Sequence, residues 1–452
     1  MGATSLHLLM HPWFALGHIT PYLHLSNKLA QKGHRISFLI PTKTQSKLQT
    51  HNLYPDLITF VPIIVPHVDG LPLGAETTSD VPVHLQPLIM TAMDRSESHI
   101  ELLLRELKPD IVFFDFAHWM PKLARSLGIR SILYAIVTPL TVYVSTPAHV
   151  DNMQKPGSSF PDLSSLSIKL HVHEERAMAA LKTQKFGGDL LLADRLFTSV
   201  SQCDALGFRT CREIEGPYID NLESHFGKPV FLAGPVLLKS ATSTCLEEKW
   251  IEWLGRFEAG SVIYCAFGTE FFLSKDQFQE LVLGLELSGR PFLAALKPPR
   301  GAESIEEAFP EGFEKRVQGR GIVHGGLVQQ LQILKHPSIG CFITHCGFGS
   351  LFEALMNKCQ LVLLPHVYDQ FYHARMLSNI LKVGVEVEKG EEDGLFTKES
   401  VCKAVKIVME VDSEVGREVR ANHAKLRELL SREDLESSYI DGFCQNLKDL
   451  VV

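Results

Sequence analysis

Several things are missing from this 452-residue chain, and each absence removes a class of protein. Cysteine does not occur before Cys203. The nine present, at 203, 211, 245, 265, 341, 346, 359, 402 and 444, never form a Cys-x-x-Cys pair. An odd number of scattered thiols argues against a disulfide framework or a zinc site and for a reducing, cytoplasmic setting. No Asn-x-Ser/Thr sequon is present, and Leu6–Met10 is too short and lacks the basic flank of a secretory signal. Basic blocks are lacking too, and with a formal charge of −8 no nucleic-acid partner is expected. The stretch Ser131–Val150 carries no Asp, Glu, Lys or Arg, but its two prolines and five Ser/Thr suit a buried strand with its loop better than a membrane span.

What is there is the composition of a globular protein, 45% hydrophobic and 21% charged. Single cores stop growing near about 250–300 residues, so two domains are expected. Short apolar runs alternate with helical patterns in both halves. LHLLM (6–10), RISFLI (35–40), ITFVPI (58–63), DIVFFDF (110–116) and SILYAIV (131–137) read as strands, followed by SVIYCAF (261–267), PFLAAL (291–296), GCFIT (340–344), QLVLLP (360–365) and GVEVE (384–388). Runs that are apolar throughout suit strands covered on both faces, and their alternation with helices predicts α/β doubly wound architecture twice over. The polar stretch LLKSATSTCLEEK (237–249) predicts a linker between residues 1–236 and 250–435. The tail 436–452 is expected to be a final helix presenting Tyr439, Phe443 and Leu447 on one face, able to return to the first domain.

Three constellations carry chemistry. In HPWFALGHITPYLHLSNKLAQKGH (11–34), Thr20-Pro21 reads as a helix start, which puts His18 just ahead of it at the carboxyl end of the first strand. In KPDIVFFDFAHW (108–119), Asp115 closes an apolar strand, where a carboxylate is costly unless paired. Carboxyl ends of neighbouring parallel strands share one side, so Asp115 can hold one imidazole nitrogen of His18 and leave the other as a general base. A loop histidine beside a helix-capping aspartate is the plainer alternative. In GCFITHCGFGSLFE (340–353), Gly347 and Gly349 allow close backbone approach to a phosphate at a helix start. Ser350 and Glu353 fit S-x-x-E, so a capping box explains them without a ligand.

The surrounding sequence weighs on that choice. Residues 327–370, LVQQLQILKHPSIGCFITHCGFGSLFEALMNKCQLVLLPHVYDQ, resemble the signature box of plant UDP-sugar-dependent glycosyltransferases of family 1. The matching points are Gln330, His336-Pro337, Gly340-Cys341-Phe342, Thr344-His345-Cys346-Gly347, Ser350, Glu353, Pro365 and Asp369-Gln370. AGPVL (233–237), IYCAFGT (263–269) and residues 297–325 extend the resemblance along the chain. Phe348-Gly349 in place of the commoner Trp-Asn, with KFGGDLLLADRLF (185–197) and CREIEGPY (211–218), resembles the branch that adds a sugar to a sugar already carried by a flavonoid or similar glycoside.

The resemblance implies the GT-B fold, two facing Rossmann-like domains with an interdomain cleft, the first binding a small-molecule glycoside acceptor and the second a UDP-sugar donor. By that likeness His18 is the general base and Asp115 its partner. Thr269, His345, Ser350 and the backbone of Gly347, Phe348 and Gly349 face the diphosphate, whose departure with inversion at the sugar they would assist. Glu353 meets the ribose, Gln330 and Val328 the uridine, and Asp369 and Gln370 the sugar hydroxyls. No Asp-x-Asp triplet occurs, so neither metal nor cofactor is expected. Leu327 stands where the family carries a tryptophan that stacks on uracil. A direct transferase to a phenolic aglycone, and a UDP-sugar-binding protein without catalysis, are the competing readings. The donor stays open among UDP-glucose, UDP-xylose and UDP-rhamnose, and a monomer is the expected state.

Overall fold

Strands that are apolar on both sides need helices over both faces, and the chain supplies them twice. A computed structural model describes residues 5–146, 168–235, 245–268 and 271–452. By their contacts they form two units. One comprises the described parts of Met1–Asp162, Ala179–Ser243 and Glu433–Val452, the other those of Leu163–Met178 and Thr244–Arg432. Residues 237–244 of the expected linker lie outside the described residues.

The first unit holds strands β1 (His7–His11), β2 (Arg35–Pro41), β3 (Ile58–Ile63), β4 (Ile111–Phe114), β5 (Arg130–Ala135), β6 (Ala205–Phe208) and β7 (Val230–Leu232). They form one parallel sheet in the order β3-β2-β1-β4-β5-β6-β7. Leu9, Val112, Leu133 and Phe208 enter the core on one face, Leu8, Met10, Ile111 and Phe113 the core on the other. The strand order reverses between β1 and β4, so the connections leaving these strands diverge. That switch point is where open α/β sheets bind ligands. His18 and Asp115 follow these two strands.

The second unit repeats the plan with β8 (Val262–Ala266), β9 (Phe292–Ala295), β10 (Gly321–His324), β11 (Ile339–Thr344), β12 (Gln360–Leu363) and β13 (Gly384–Glu386), all parallel, in the order β10-β9-β8-β11-β12-β13. Its switch point lies between β8 and β11, and His345 follows β11 directly.

Two details depart from the sequence expectation. The segment from Ile168 to Met178, expected in the first domain, groups with the second unit. Its reason is electrostatic: the buried Arg375 guanidinium donates to Lys169 O (3.1 Å) and Glu174 Oε2 (2.8 Å), and Arg176 pairs with Glu392 (2.7 Å). The first helix begins at Leu16 and runs to Gln31, with Pro21 inside it and Ala15, not Thr20, at its N-cap. Pro21 is the sixth helical residue, past the first turn, so the helix forgoes the one hydrogen bond that an N–H at this position would make to the Gly17 carbonyl.

The final helix, Glu433–Val451, buries Ile440, Phe443 and Leu447 in the first unit, with Phe443 stacked on Phe113 at 6.2 Å. Tyr439 crosses Gly234, where a Cβ would come within 2.8 Å of it and φ is +73°. Its hydroxyl accepts from Arg212 N (2.9 Å) and donates to Glu213 (2.7 Å).

Candidate active site

The earlier helix start moves His18 from ahead of the helix into its first turn, where its N–H reaches the Ala15 carbonyl at 2.9 Å. Asp115 follows β4, whose Phe114 lies opposite His11 of β1. The two elements bring the side chains together: His18 Nδ1–H donates to Asp115 Oδ2 at 2.7 Å. Asp115 is 5% exposed and His18 18%. The other carboxylate oxygen accepts the Phe116 N–H at 2.6 Å, and the next helix starts only at Met120 with Trp119 at its N-cap. Asp115 therefore caps no helix. The ring of Phe116 leans on His18 at 5.5 Å, and Nε2 has no hydrogen-bond partner among the described residues. A histidine so held presents an open nitrogen lone pair, with a carboxylate behind it to stabilise the imidazolium that proton uptake creates.

In the second unit, the turn after β11 is tight. Cys346 adopts φ +66°, a left-handed conformation costing a non-glycine residue about 1–2 kcal/mol. Its carbonyl accepts from the buried His373 Nδ1 at 2.9 Å, which holds the turn. Helix Phe348–Leu355 then starts with Gly347 at its N-cap. The first intrahelical bond is Leu351 N to Gly347 O at 3.0 Å, so the N–H groups of Phe348, Gly349 and Ser350 are left free to meet an anion. Gly347 is required by His345: a Cβ there would lie 2.4 Å from Nε2. Burial lowers the His345 pKa to about 4, opposed by the backbone of Ala266, so the ring is neutral at physiological pH. Its Nδ1 is buried without a hydrogen-bond partner among the described residues.

With Gly347 at the N-cap, Ser350 is the third helical residue and Glu353 the sixth, so they make no capping box. Instead both face Gln330, whose Nε2 donates to Ser350 Oγ at 3.1 Å and to Glu353 Oε2 at 2.8 Å. The Tyr264 hydroxyl reaches Gln330 Oε1 at 3.5 Å. Val328 is half-buried and its carbonyl accepts from Gln330 N at 2.9 Å, while Leu327 beside it is 81% exposed. Asp369 opens helix Asp369–Arg375, 3.7 Å from His373 Nδ1. Gln370 spends its Oε1 on its own loop, accepting from His366 N (3.0 Å) and Val367 N (3.2 Å), which leaves its NH₂ group. Thr269 lies outside the described residues.

Among the described residues no group of three His, Cys, Asp or Glu is placed to hold a metal ion, and no helix is long and apolar enough to cross a membrane. Sequence reasoning passed over Arg195, Asp94 and His118, which cluster beside Asp115, and His366, which stacks on Phe271 at 4.1 Å. Arg195 and His118 lie in stretches the sequence marks, KFGGDLLLADRLF and KPDIVFFDFAHW, but their pairing is not legible there because the partners are remote in the chain.

Residues 322–418 match the family model described as "UDP-glucoronosyl and UDP-glucosyl transferase". The cyanidin 3-O-galactoside 2''-O-xylosyltransferase FGGT1 of Actinidia chinensis var. chinensis is 64% identical over 461 residues, covering all of both chains. The anthocyanidin 3-O-glucoside 2''-O-glucosyltransferase of Ipomoea nil is 57% identical over 99% of each chain. Among solved structures, Glycyrrhiza uralensis UGT73P12 complexed with glycyrrhetinic acid 3-O-monoglucuronide superposes with a TM-score of 0.83 at 22% identity, over 99% of this chain and 96% of that one. Two Rossmann-like sheets in the GT-B fold, and identity at this level over the full length, make the chain a member of the plant family 1 UDP-glycosyltransferases.

Proposed function

We propose that the chain transfers xylose or glucose from its UDP-sugar to a hydroxyl of the sugar in an anthocyanin 3-O-glycoside, with inversion at the anomeric carbon. Relatives at 57–64% identity over the whole chain carry out 2''-O-xylosyl and 2''-O-glucosyl transfer, which favours a glycoside acceptor over a phenolic aglycone. The observation that carries catalysis is the 2.7 Å His18–Asp115 hydrogen bond with Nε2 left free, which also speaks against a binding protein without turnover. In this reading Nε2 takes the proton of the acceptor hydroxyl as its oxygen attacks C1 of the donor sugar. The C1–oxygen bond to the β-phosphate breaks, UDP leaves, and the proton stays on an imidazolium facing Asp115.

Departing UDP would be met by the free N–H groups of Phe348, Gly349 and Ser350, with neutral His345 beside them as a hydrogen-bond donor. Glu353, Ser350 and Gln330 form one connected patch suited to ribose and base, whose hydroxyls need acceptors and whose uracil edge needs an amide. Leu327 would offer uracil an apolar wall without an aromatic face. Thr269 and the Asp369–Gln370 pair keep the roles the family implies, at the diphosphate and the sugar. A cytoplasmic, monomeric enzyme is the form we assign. The test is product analysis with cyanidin 3-O-glucoside, cyanidin 3-O-galactoside and free cyanidin, each with UDP-xylose, UDP-glucose and UDP-rhamnose. Disaccharide formation on a glycoside, abolished in His18→Ala, is expected. Turnover confined to free cyanidin would overturn the acceptor assignment.

A further inference from the structure

Arg195 lies in helix Leu192–Gln202, within the stretch KFGGDLLLADRLF, and its side chain is fully buried. Asp94, from helix Gln86–Arg95, grips the guanidinium with both carboxylate oxygens, at 2.9 Å to Nη1 and 2.6 Å to Nη2. Nε donates to the Phe186 carbonyl at 3.0 Å. Nη1 also reaches the Phe116 carbonyl at 3.0 Å and His118 Nδ1 at 2.8 Å. Burial and the guanidinium lower the pKa of His118, against the pull of Asp94, which keeps that ring an acceptor. The chain makes room for this arrangement at Gly187, where φ is +89° and a Cβ would lie 2.4 Å from Nη2 and 2.6 Å from Asp94 Oδ2.

What the guanidinium holds is the residue next to the dyad. Phe116 is held at both of its backbone groups, its carbonyl by Arg195 together with the His118 N–H (2.9 Å) and its N–H by Asp115 Oδ1, and its ring rests against His18. We propose that Arg195, oriented by Asp94, is a positioning residue for sugar transfer: by locking Phe116 it aims the Asp115 carboxylate at His18 Nδ1. The inference rests on the reading of His18 as the base. A fully buried ion pair is poor evidence for stability on its own account, since apolar packing would serve as well. A planar fork with five donors suits acceptors on Asp94, Phe186, Phe116 and His118 that lie in different directions, which a lysine ammonium cannot span.

The test combines a kinetic cycle with a spectroscopic probe. Arg195→Lys and Asp94→Asn are each expected to lower kcat about tenfold or more while the donor KM stays within about twofold. In an Asp115→Asn background neither should lower kcat further, because residues acting through one another are not additive. Losses that multiply with that of Asp115→Asn, or an unchanged kcat, would overturn the proposal. In ¹⁵N-histidine-labelled protein, the Nδ1–H resonance of His18, assigned by its loss in His18→Gln, should shift or broaden in both variants. An unchanged resonance in a folded variant also refutes it. Should Arg195→Lys fail to fold by circular dichroism, Asp94→Asn, which keeps the side-chain volume and the other acceptors, decides. If the unsubstituted protein turns over no donor–acceptor pair, the functional reading fails, and the resonance still decides the positioning role.

Discussion

Replacing Asp115 by asparagine should do more harm than replacing it by alanine, and the hydrogen bonds around it say why. The carboxylate has two commitments, Oδ1 to the Phe116 N–H at 2.6 Å and Oδ2 to His18 Nδ1 at 2.7 Å. Asparagine has one acceptor oxygen and one NH₂ group. The backbone N–H can only donate, so it claims the oxygen, and the NH₂ group turns to His18. Nδ1 must then accept, which moves the imidazole proton to Nε2 and removes the lone pair that would take the proton of the acceptor sugar. General-base catalysis is worth roughly 10²–10⁴-fold. A locked wrong tautomer should forfeit most of it, about 10³-fold in kcat, or ~4 kcal/mol. Alanine leaves the imidazole free to adopt either tautomer and loses only orientation and charge, so about 10²-fold is expected. The assay is product formation at saturating donor and acceptor, with circular dichroism to confirm folding. Should Asp115→Asn keep kcat within about threefold, or should alanine prove the worse substitution, the assignment of Asp115 to the Nδ1 side of a base would be refuted.

Four further outcomes follow from named contacts. Leu327→Trp should lower the donor KM by roughly fivefold to a hundredfold, the value of about 1–3 kcal/mol for base–aromatic stacking; an unchanged KM would mean that this exposed side chain meets no uracil. Gly347→Ala puts a methyl group 2.4 Å from His345 Nε2, so kcat should fall at least about tenfold, and a normal kcat would remove His345 from the chemistry. Tyr368, at φ +50° and ψ −118°, holds a backbone conformation that favours glycine; Tyr368→Gly should relieve about 1–2 kcal/mol and raise Tm by about 2–4 °C, whereas a fall would show that the ring's packing outweighs the strain. Burial holds His11 and His423 at a pKa of about 4 and His24 at about 3. Below pH 6.5 the unfolded chain therefore binds protons that the folded chain refuses, each such site taking up to about 1.4 kcal/mol of stability per pH unit. Stability should be complete above pH 7 and decline steadily towards pH 4, and equal Tm values at pH 7.5 and 5 would contradict this.

The strands that were legible from sequence are those whose apolar runs exceed what a turn or helix end would carry, such as ITFVPI at 58–63. Those that were not, Ala205–Phe208, Val230–Leu232 and Gly321–His324, have three or four residues each, as do Ile111–Phe114 and Gly384–Glu386, which the longer runs DIVFFDF and GVEVE made visible. They are strands because a neighbour's register makes them so, a property of the sheet and not of the segment. Thr20-Pro21 misled for a related reason. A proline early in a helix is compatible with a start at that residue or several residues before it, and only the Ala15 carbonyl, bonded to His18 N and Ile19 N, distinguishes them. Arg195 was out of reach altogether, since Asp94 and Phe116 lie 101 and 79 residues away.

Ser350 and Glu353 show how one sequence pattern fits two physical causes. Three residues apart on a helix, two side chains share a face, and so S-x-x-E fits two physical situations. If the serine is the N-cap, the pair satisfies the backbone of its own helix; if the helix began three residues earlier, the pair is free to face something else. Sequence could not choose, because helix starts are uncertain by about that much. The structure chooses through Gly347. Only a residue without a Cβ fits against His345 Nε2, the chain turns into its helix there, and the serine and glutamate are carried round to Gln330. A helix cap would have needed nothing from Gln330, seventeen residues before Gly347 and on another helix. An amide from a separate element binds both oxygens, and under the proposed function Gln330→Ala should raise the donor KM while leaving the helix intact.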